Sequence, residues 1–262
     1  MDIVILCGGL GTRLQSVVSD RPKALALIND RPFLSYQLSF FKSAGYTRFI
    51  FCIGYKADMI KAYIQSISET ELNGCECVFS VEDEPLGTGG ALFKAQECIH
   101  SDKFMLVNGD SFCDVDLRLF TDFHSDTNAL MSMVVVSVED FSRYGVVYAD
   151  DQKKIQGFSE KGDDSGLDNP GSEGEGDDCV KEVAGIGINA GIYILNKTLF
   201  NDSNHQYKPG DKFSLETDFF PKYVGHHFFA YKNLNTTFID IGLPSSLQEA
   251  QTFFNTQKFN NS

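Results

Sequence analysis

The sequence predicts an α/β protein built on a doubly wound, mostly parallel sheet, and three observations carry that expectation. Short apolar runs alternate with segments of helical periodicity through the first half of the chain. The two kinds of segment follow each other at the spacing of βαβ units, and a glycine-rich turn comes directly after the first apolar run.

In order, residues 2–6, 49–53, 77–81 and 104–107 read as strands, because they are short, β-branched or aromatic, and bounded by glycine or polar turns. Between them, residues 33–44, 58–67 and 89–98 carry apolar side chains at helical spacing. Leu34, Leu38 and Phe41 share a face of the first of these helices, and Gly45 stops it. Strands dominate the second half, at 129–138, 145–148, 154–158, 186–195 and 228–231, with a further short strand around Asp240. A last helix over 245–254 follows Pro244, with Ser245 or Ser246 as its N-cap. In such a sheet ligands bind at the carboxyl ends of the strands.

The chain has 262 residues, which suits one domain with a substantial core. We read 1–262 as a single domain, with a nucleotide-binding half at 1–128 and a sugar-phosphate-binding half at 129–262 once the motifs below are considered. Its 36 Asp and Glu outweigh 22 Lys and Arg, giving a net charge of −14 that excludes nucleic acid and anionic membrane as partners. Half of that charge lies in one segment. Residues 162–178 (GDDSGLDNPGSEGEGDD) contain seven acids, five glycines and no Lys or Arg, a composition expected of a mobile surface insert.

Seven scattered cysteines, several inside apolar runs, read as reduced thiols. Cys75 and Cys77 are one residue apart and lack the spacing of a zinc or redox pair. The chain opens with no basic region and a short apolar run, and its longest apolar run is about half the length needed to cross a bilayer. A cytoplasmic location is therefore expected; the composition leaves a homo-oligomer open.

The turn after the first strand reads Cys7-Gly8-Gly9-Leu10-Gly11-Thr12-Arg13-Leu14, followed by Arg21-Pro22-Lys23. Glycines here let backbone N–H groups approach an anion, and Arg13 and Lys23 add charge that phosphate oxygens can meet. Residues 1–31 hold four basic side chains against three acidic ones, so this end is locally basic in an acidic chain. No Gly-Lys-Ser/Thr closes the loop, which excludes a Walker motif, and the third glycine of a dinucleotide fingerprint is missing.

Gly8 to Leu14 together with Pro22-Lys23 strongly resembles the signature of the sugar-1-phosphate nucleotidylyltransferases, which join an NTP and a sugar 1-phosphate into an NDP-sugar and pyrophosphate. The resemblance runs through nearly the whole chain. It implies a Rossmann-like three-layer sandwich with a mostly parallel mixed central sheet, of the nucleotide-diphospho-sugar transferase type. It also implies that Gly8, Gly9, Gly11 and Thr12 bind the nucleotide, with Arg13 and Lys23 acting on its phosphates.

Glu82-Asp-Glu-Pro85-Leu86-Gly87-Thr88-Gly89-Gly90 reads by itself as a loop opening a helix, whose N-terminus favours an anion. By resemblance it is the base-reading segment, with Glu82, Gly87 and Thr88 at the nucleotide. A carboxylate only accepts hydrogen bonds, and guanine offers two donors on one edge, so Glu82 favours GTP. Asn108-Gly109-Asp110 ends a strand, and Asp240 lies in Phe238-Ile-Asp240-Ile-Gly242. Mg2+ prefers one or two carboxylates with phosphate oxygens and water. The resemblance assigns Asp110 and Asp240 to that metal and Asn108 to the nucleotide.

On the same footing, Tyr144-Gly145, Glu160-Lys161 and Asn189 match the sugar-phosphate side, with Lys161 at the phosphate of the acceptor. Each of these short motifs, taken alone, is an ordinary surface or turn residue. Within the family, the segment from Phe213 through Glu216 to Phe220 and the segment from Phe238 to Pro244 look most like the branch that makes GDP-D-glycero-D-manno-heptose for surface polysaccharide. Lys23 is followed by Ala24-Leu25 rather than Pro-Met, the acidic insert follows Lys161 directly, and Phe238 stands where Trp is usual. Residue types do not separate a heptose from a hexose acceptor such as mannose 1-phosphate. A catalytically silent nucleotide-sugar-binding homologue is the reading from another class.

Overall fold

The computed structural model describes residues 1–14, 18–138, 144–159, 186–232 and 237–256. Strand β1 (Asp2–Leu6) is central and leads through the glycine-rich turn to a small hairpin, β2 (Leu27–Ile28) and β3 (Arg31–Pro32). Helix α1 (Phe33–Ser43) returns the chain to β4 (Arg48–Ile53), and α2 (Ala57–Ile67) to β5 (Glu76–Val81). Helix α3 (Gly87–Lys94) then leads to β6 (Lys103–Asn108). Strands β1, β4, β5 and β6 are mutually parallel where they pair, so their carboxyl ends share one edge of the sheet. The chain moves outward from β1 through β4 to β5 and then returns to the other side of β1 as β6. That reversal makes the gap between β1 and β6 the switch point where α/β sheets open a crevice.

Beyond β6 come β7 (Ser111–Cys113), α4 (Leu117–Asp126), β8 (Met131–Val136), β9 (Val146–Ala149) and β10 (Ile155–Ser159). They are followed by β11 (Ile186–Asn196), β12 (Phe228–Lys232), β13 (Phe238–Asp240) and α5 (Pro244–Thr256). Strand β11 runs antiparallel to β6, β8 and β9, which makes the main sheet mixed, as expected; β13 pairs with β7 apart from it.

Period-two alternation divides the sheet's side chains between two cores. Ile3, Ile5, Phe49 and Phe51 pack with α1, α2 and α4, whereas Val4, Ile50, Phe104 and Leu106 pack with α3 and an aromatic segment over 199–223. A third cluster joins Leu14, Ile28, Tyr36, Phe112 and Ile241 to Phe254 of α5. The result is three layers, with strands of both halves in one sheet.

Several expectations shift. The helix expected over 89–98 starts at Gly87 and tightens into a 3-10 turn over Ala95–Cys98. The last helix takes Pro244 into its first position, which costs nothing because that N–H has no partner within a helix; Ser245 and Ser246 are therefore not caps but first-turn residues. Helix α4 was not expected at all. Its apolar stripe is only Leu117, Phe120 and His124, and its start is marked by Asp116, whose side chain accepts from the Leu119 N–H at 2.9 Å. Six described cysteines are free thiols, and Cys179 lies outside the described residues, as do Glu160, Lys161 and the insert 162–178. No helix among the described residues is long and apolar enough to cross a membrane.

Candidate active site

At the carboxyl edge of the parallel strands lies a cleft of about 440 Å³, lined by Gly8 to Thr12 from the turn after β1, Glu82 from the end of β5, and Asn108 to Asp110 from the end of β6. Among the described residues the N–H groups of Gly8, Gly9, Gly11 and Thr12 take no acceptor. Four such donors on residues that line one crevice suit a polyphosphate. Gly11 has φ +58, and a Cβ there would press on Lys23 at 3.2 Å, so glycine lets the turn fold over that lysine.

Lys23 reaches into the cleft between two carboxylates. Its Nζ is 2.6 Å from Asp110 Oδ2 and 3.8 Å from Asp240 Oδ1. The two aspartates meet because β13 pairs with β7, setting Asp240 opposite Ser111, and because the Ile241 N–H donates to the Asp110 carbonyl at 2.9 Å. Two carboxylates that converge on one cation, both open to solvent in part, form a donor set that suits Mg2+ with phosphate oxygens and water completing its shell. Cys7 lines the same cleft, but burial, helped by the nearby Asp110 charge, pushes its thiol far up, so it supplies no thiolate nucleophile at neutral pH.

Glu82 forms the other end of the cleft. Its Oε2 accepts from the Leu86 N–H at 3.0 Å, and its Oε1 lies against Gly8, where any Cβ would collide with it. Burial pushes the carboxyl up, while the Leu86 N–H and Lys94 pull it back.

The glycines of the following segment admit the chain around Phe213. A Cβ at Gly87 would meet the Phe213 carbonyl at 2.5 Å, and one at Gly89 or Gly90 would overlap the Phe213 ring or the Asp211 carbonyl. The Gly89 and Gly90 N–H groups donate to the Phe213 carbonyl at 3.0 and 3.3 Å. At the start of α3 the Gly89 and Gly90 N–H groups are thus satisfied by the chain itself, while Gly87 and Thr88 line the cleft. Thr88 lines the cleft, but its hydroxyl donates to Glu216 at 2.7 Å and accepts from the Leu215 N–H at 2.8 Å. In the sequence, Phe213 and Glu216 carry only a branch resemblance. The signal for their clamping role is the cost of three glycines at one helix start, about 1 kcal/mol each, which a close backbone approach explains.

Arg13 is exposed and does not line the cleft. Asn189 is turned inward. Its Oδ1 accepts from the Gly191 N–H at 2.9 Å and its Nδ2 donates to the Tyr193 hydroxyl at 2.6 Å, so it braces the turn in β11. The Tyr144 ring packs edge-on against Phe238 at 5.6 Å, two residues from Asp240, and Gly145 abuts the Ser159 carbonyl. This brings Tyr144-Gly145 beside the chain that enters Glu160 and Lys161.

Comparison with known proteins gives this geometry a lineage. The chain is 35% identical over 252 residues to D-glycero-alpha-D-manno-heptose 1-phosphate guanylyltransferase of Aneurinibacillus thermoaerophilus, covering 96% of this chain and 97% of that one. It is 31% identical over 243 residues to mannose-1-phosphate guanylyltransferase catalytic subunit beta of Drosophila melanogaster, of which it spans 59%. Among solved structures, HddC from Yersinia pseudotuberculosis complexed with GMP-PN superposes with a TM-score of 0.75 at 36% identity, over 97% of this chain and 99% of that one. Residues 3–257 match the family model described as nucleotidyl transferase, which is the reaction class that the switch-point cleft and its converging charges suit; the chain belongs to that family.

Proposed function

We propose that the protein transfers a guanylyl group from GTP to D-glycero-alpha-D-manno-heptose 1-phosphate, releasing pyrophosphate. The observation that carries this reading is a single cleft with a half-buried carboxylate, Glu82, at one end and the Lys23, Asp110 and Asp240 cluster at the other, with open N–H donors between. The similarity to the heptose enzyme over nearly the full length of both chains supports the acceptor, and the nucleotide analogue in the Yersinia structure supports GTP.

In this reading a phosphate oxygen of the sugar 1-phosphate attacks the α-phosphorus in line. The second pKa of such a phosphate is roughly 6, so the attacking group is largely dianionic at neutral pH and needs no general base. The protein's work is alignment and charge neutralisation. The turn Gly8 to Thr12 holds the leaving pyrophosphate through its N–H groups, and the exposed Arg13 that follows it adds positive charge from outside the cleft. Lys23 moves from Asp110 to the α-phosphate once phosphate oxygens are present. Glu82 accepts from the guanine edge. Lys161, outside the described residues, steers the acceptor phosphate. Asp110 and Asp240 would hold Mg2+, which supplies charge neutralisation on the phosphates when bound.

A pyrophosphate-release matrix of GTP, CTP, UTP and ATP against heptose, mannose and glucose 1-phosphates tests this. The expected outcome is magnesium-dependent release with GTP and the heptose 1-phosphate. Preference for mannose 1-phosphate would replace the acceptor, preference for a pyrimidine triphosphate would overturn the role of Glu82, and no release with any pair would leave a silent homologue.

A further inference from the structure

Gln37 is 1% exposed and lies on the face of α1 that carries Leu34, Leu38 and Phe41 into the core. Its Nε2 donates to two backbone carbonyls, that of Asn108 at 2.8 Å and that of Ser111 at 2.6 Å. Those carbonyls bracket Gly109 and Asp110, so one buried amide closes the turn that presents the Asp110 carboxylate. Both partners are acceptors, which settles the orientation of the amide: flipped, its oxygen would face two carbonyls. The orientation leaves Oε1 buried with no partner among the described residues. A buried acceptor without a donor is destabilising, and an apolar residue on this helix face would avoid it. The polar side chain therefore answers to the two bonds it donates.

Two backbone bonds also hold the turn, and the Ser111 hydroxyl donates to the Ala190 carbonyl at 3.4 Å. The Gly109 N–H donates to the Leu6 carbonyl at 3.0 Å, and the Asp110 carbonyl accepts from Ile241 at 2.9 Å. These bonds tie the turn to β1 and to the strand that carries Asp240, and Gln37 closes it from the helix side. Together these bonds tie the Asp110 backbone to β1, to α1 and to the strand that carries Asp240, while its carboxylate meets Lys23.

We infer that Gln37 is a positioning residue for Asp110, acting through the turn Asn108–Ser111 to set the affinity of the site for a divalent cation. This rests on the reading of Asp110 and Asp240 as the metal carboxylates. Groups that orient a metal ligand through hydrogen bonds change metal affinity by roughly 10- to 100-fold when removed.

The test follows Mn2+ binding to the enzyme–GTP complex by electron paramagnetic resonance, without sugar phosphate so that no turnover occurs. The variants are Gln37→Met, Gln37→Glu and Asp110→Asn, and the fold of each is checked by circular dichroism. The expected result is a folded Gln37→Met or Gln37→Glu protein whose Mn2+ dissociation constant rises roughly 10- to 100-fold while its affinity for metal-free GTP is unchanged. If Asp110→Asn weakens Mn2+ but the folded Gln37 variants do not, the inference is overturned and the metal reading stands. If Asp110→Asn leaves Mn2+ affinity unchanged, the metal reading fails and takes the inference with it. Failure of both Gln37 variants to fold also overturns it, because the amide then serves the fold rather than the carboxylate.

Discussion

Lys23 and Asp110 form a direct ion pair, 2.6 Å between Nζ and Oδ2, with the lysine side chain 15% exposed at the floor of the cleft. The pair joins residues 87 positions apart, and Asp240 stands 3.8 Å from the same ammonium. The lysine neutralises two carboxylates that would otherwise repel each other, and in the proposed reaction it would leave them to a second cation once phosphates draw it away.

Replacing Asp110 by Asn should therefore leave the fold intact, since Lys23 keeps Asp240 as a partner. Turnover should fall by at least ~10²-fold through lost metal positioning. Pyrophosphate release at saturating GTP and Mg2+ checks this, and wild-type turnover in the variant would remove Asp110 from the reaction.

Gly89 is the point of the clamp between α3 and the segment around Phe213 at which a Cβ would run into the Phe213 ring. The Phe213 ring is itself pinned, stacked on Tyr207 at 3.8 Å and edge-on to Phe93 at 5.1 Å, so it has little room to yield. Gly89→Ala should lower stability by about 1–3 kcal/mol through overpacking, despite alanine's better helix propensity. Thermal unfolding measures the loss. Gly89→Ala with Phe213→Leu should recover part of it, and strict additivity of the two changes would show that the ring is not what the methyl group meets.

Much of this architecture was legible in residue patterns, and the reason lies in the parallel half. Strands β1, β4 and β6 are largely buried and, with the half-buried edge strand β5, stand out as apolar runs such as Phe49 to Ile53, so their observed bounds differ from the expected ones by a residue or less at each end. Helix α4 escaped because its three inward residues include His124, which reads as polar. The aromatic segment over 199–223 escaped because short 3-10 and π turns carry no sustained period. At the site, the glycine turn, Lys23, Asp110 and Asp240 were visible as motifs. What Gly87, Gly89, Thr88 and Asn189 touch was not, because those contacts join residues two or four apart in β11 or more than a hundred apart across the chain.

In the proposed reading Glu82 meets a guanine edge only as an acceptor, so exchanging one carboxylate oxygen for an amide nitrogen sets a donor against a donor. Glu82→Gln should reduce the preference for GTP over ATP by at least ~10-fold in kcat/KM. Because burial pushes this carboxyl above the ordinary range, kcat/KM for GTP should also begin to fall at a higher pH on acidification than an ordinary carboxylate would give. Initial rates with the two nucleotides across the acid range check both, and an unchanged preference would confine Glu82 to bracing the Leu86 N–H.

His124 makes stability depend on pH. It is fully buried on α4, its Nδ1 2.9 Å from the Ser132 hydroxyl, and burial, with a smaller contribution from Lys103, lowers its pKa from 6.5 to about 4. Between those two values the unfolded chain binds a proton that the folded chain does not. Unfolding then takes up a proton, and stability falls as pH drops through that window. The contribution lost by pH 4 is about 3 kcal/mol, from the size of the shift. Urea unfolding at pH 7, 6, 5 and 4 should show that loss in the wild-type protein, and His124→Gln should be less stable at pH 7 but flatter across the window. A variant that keeps the full slope would mean that other buried groups, not His124, take up the proton.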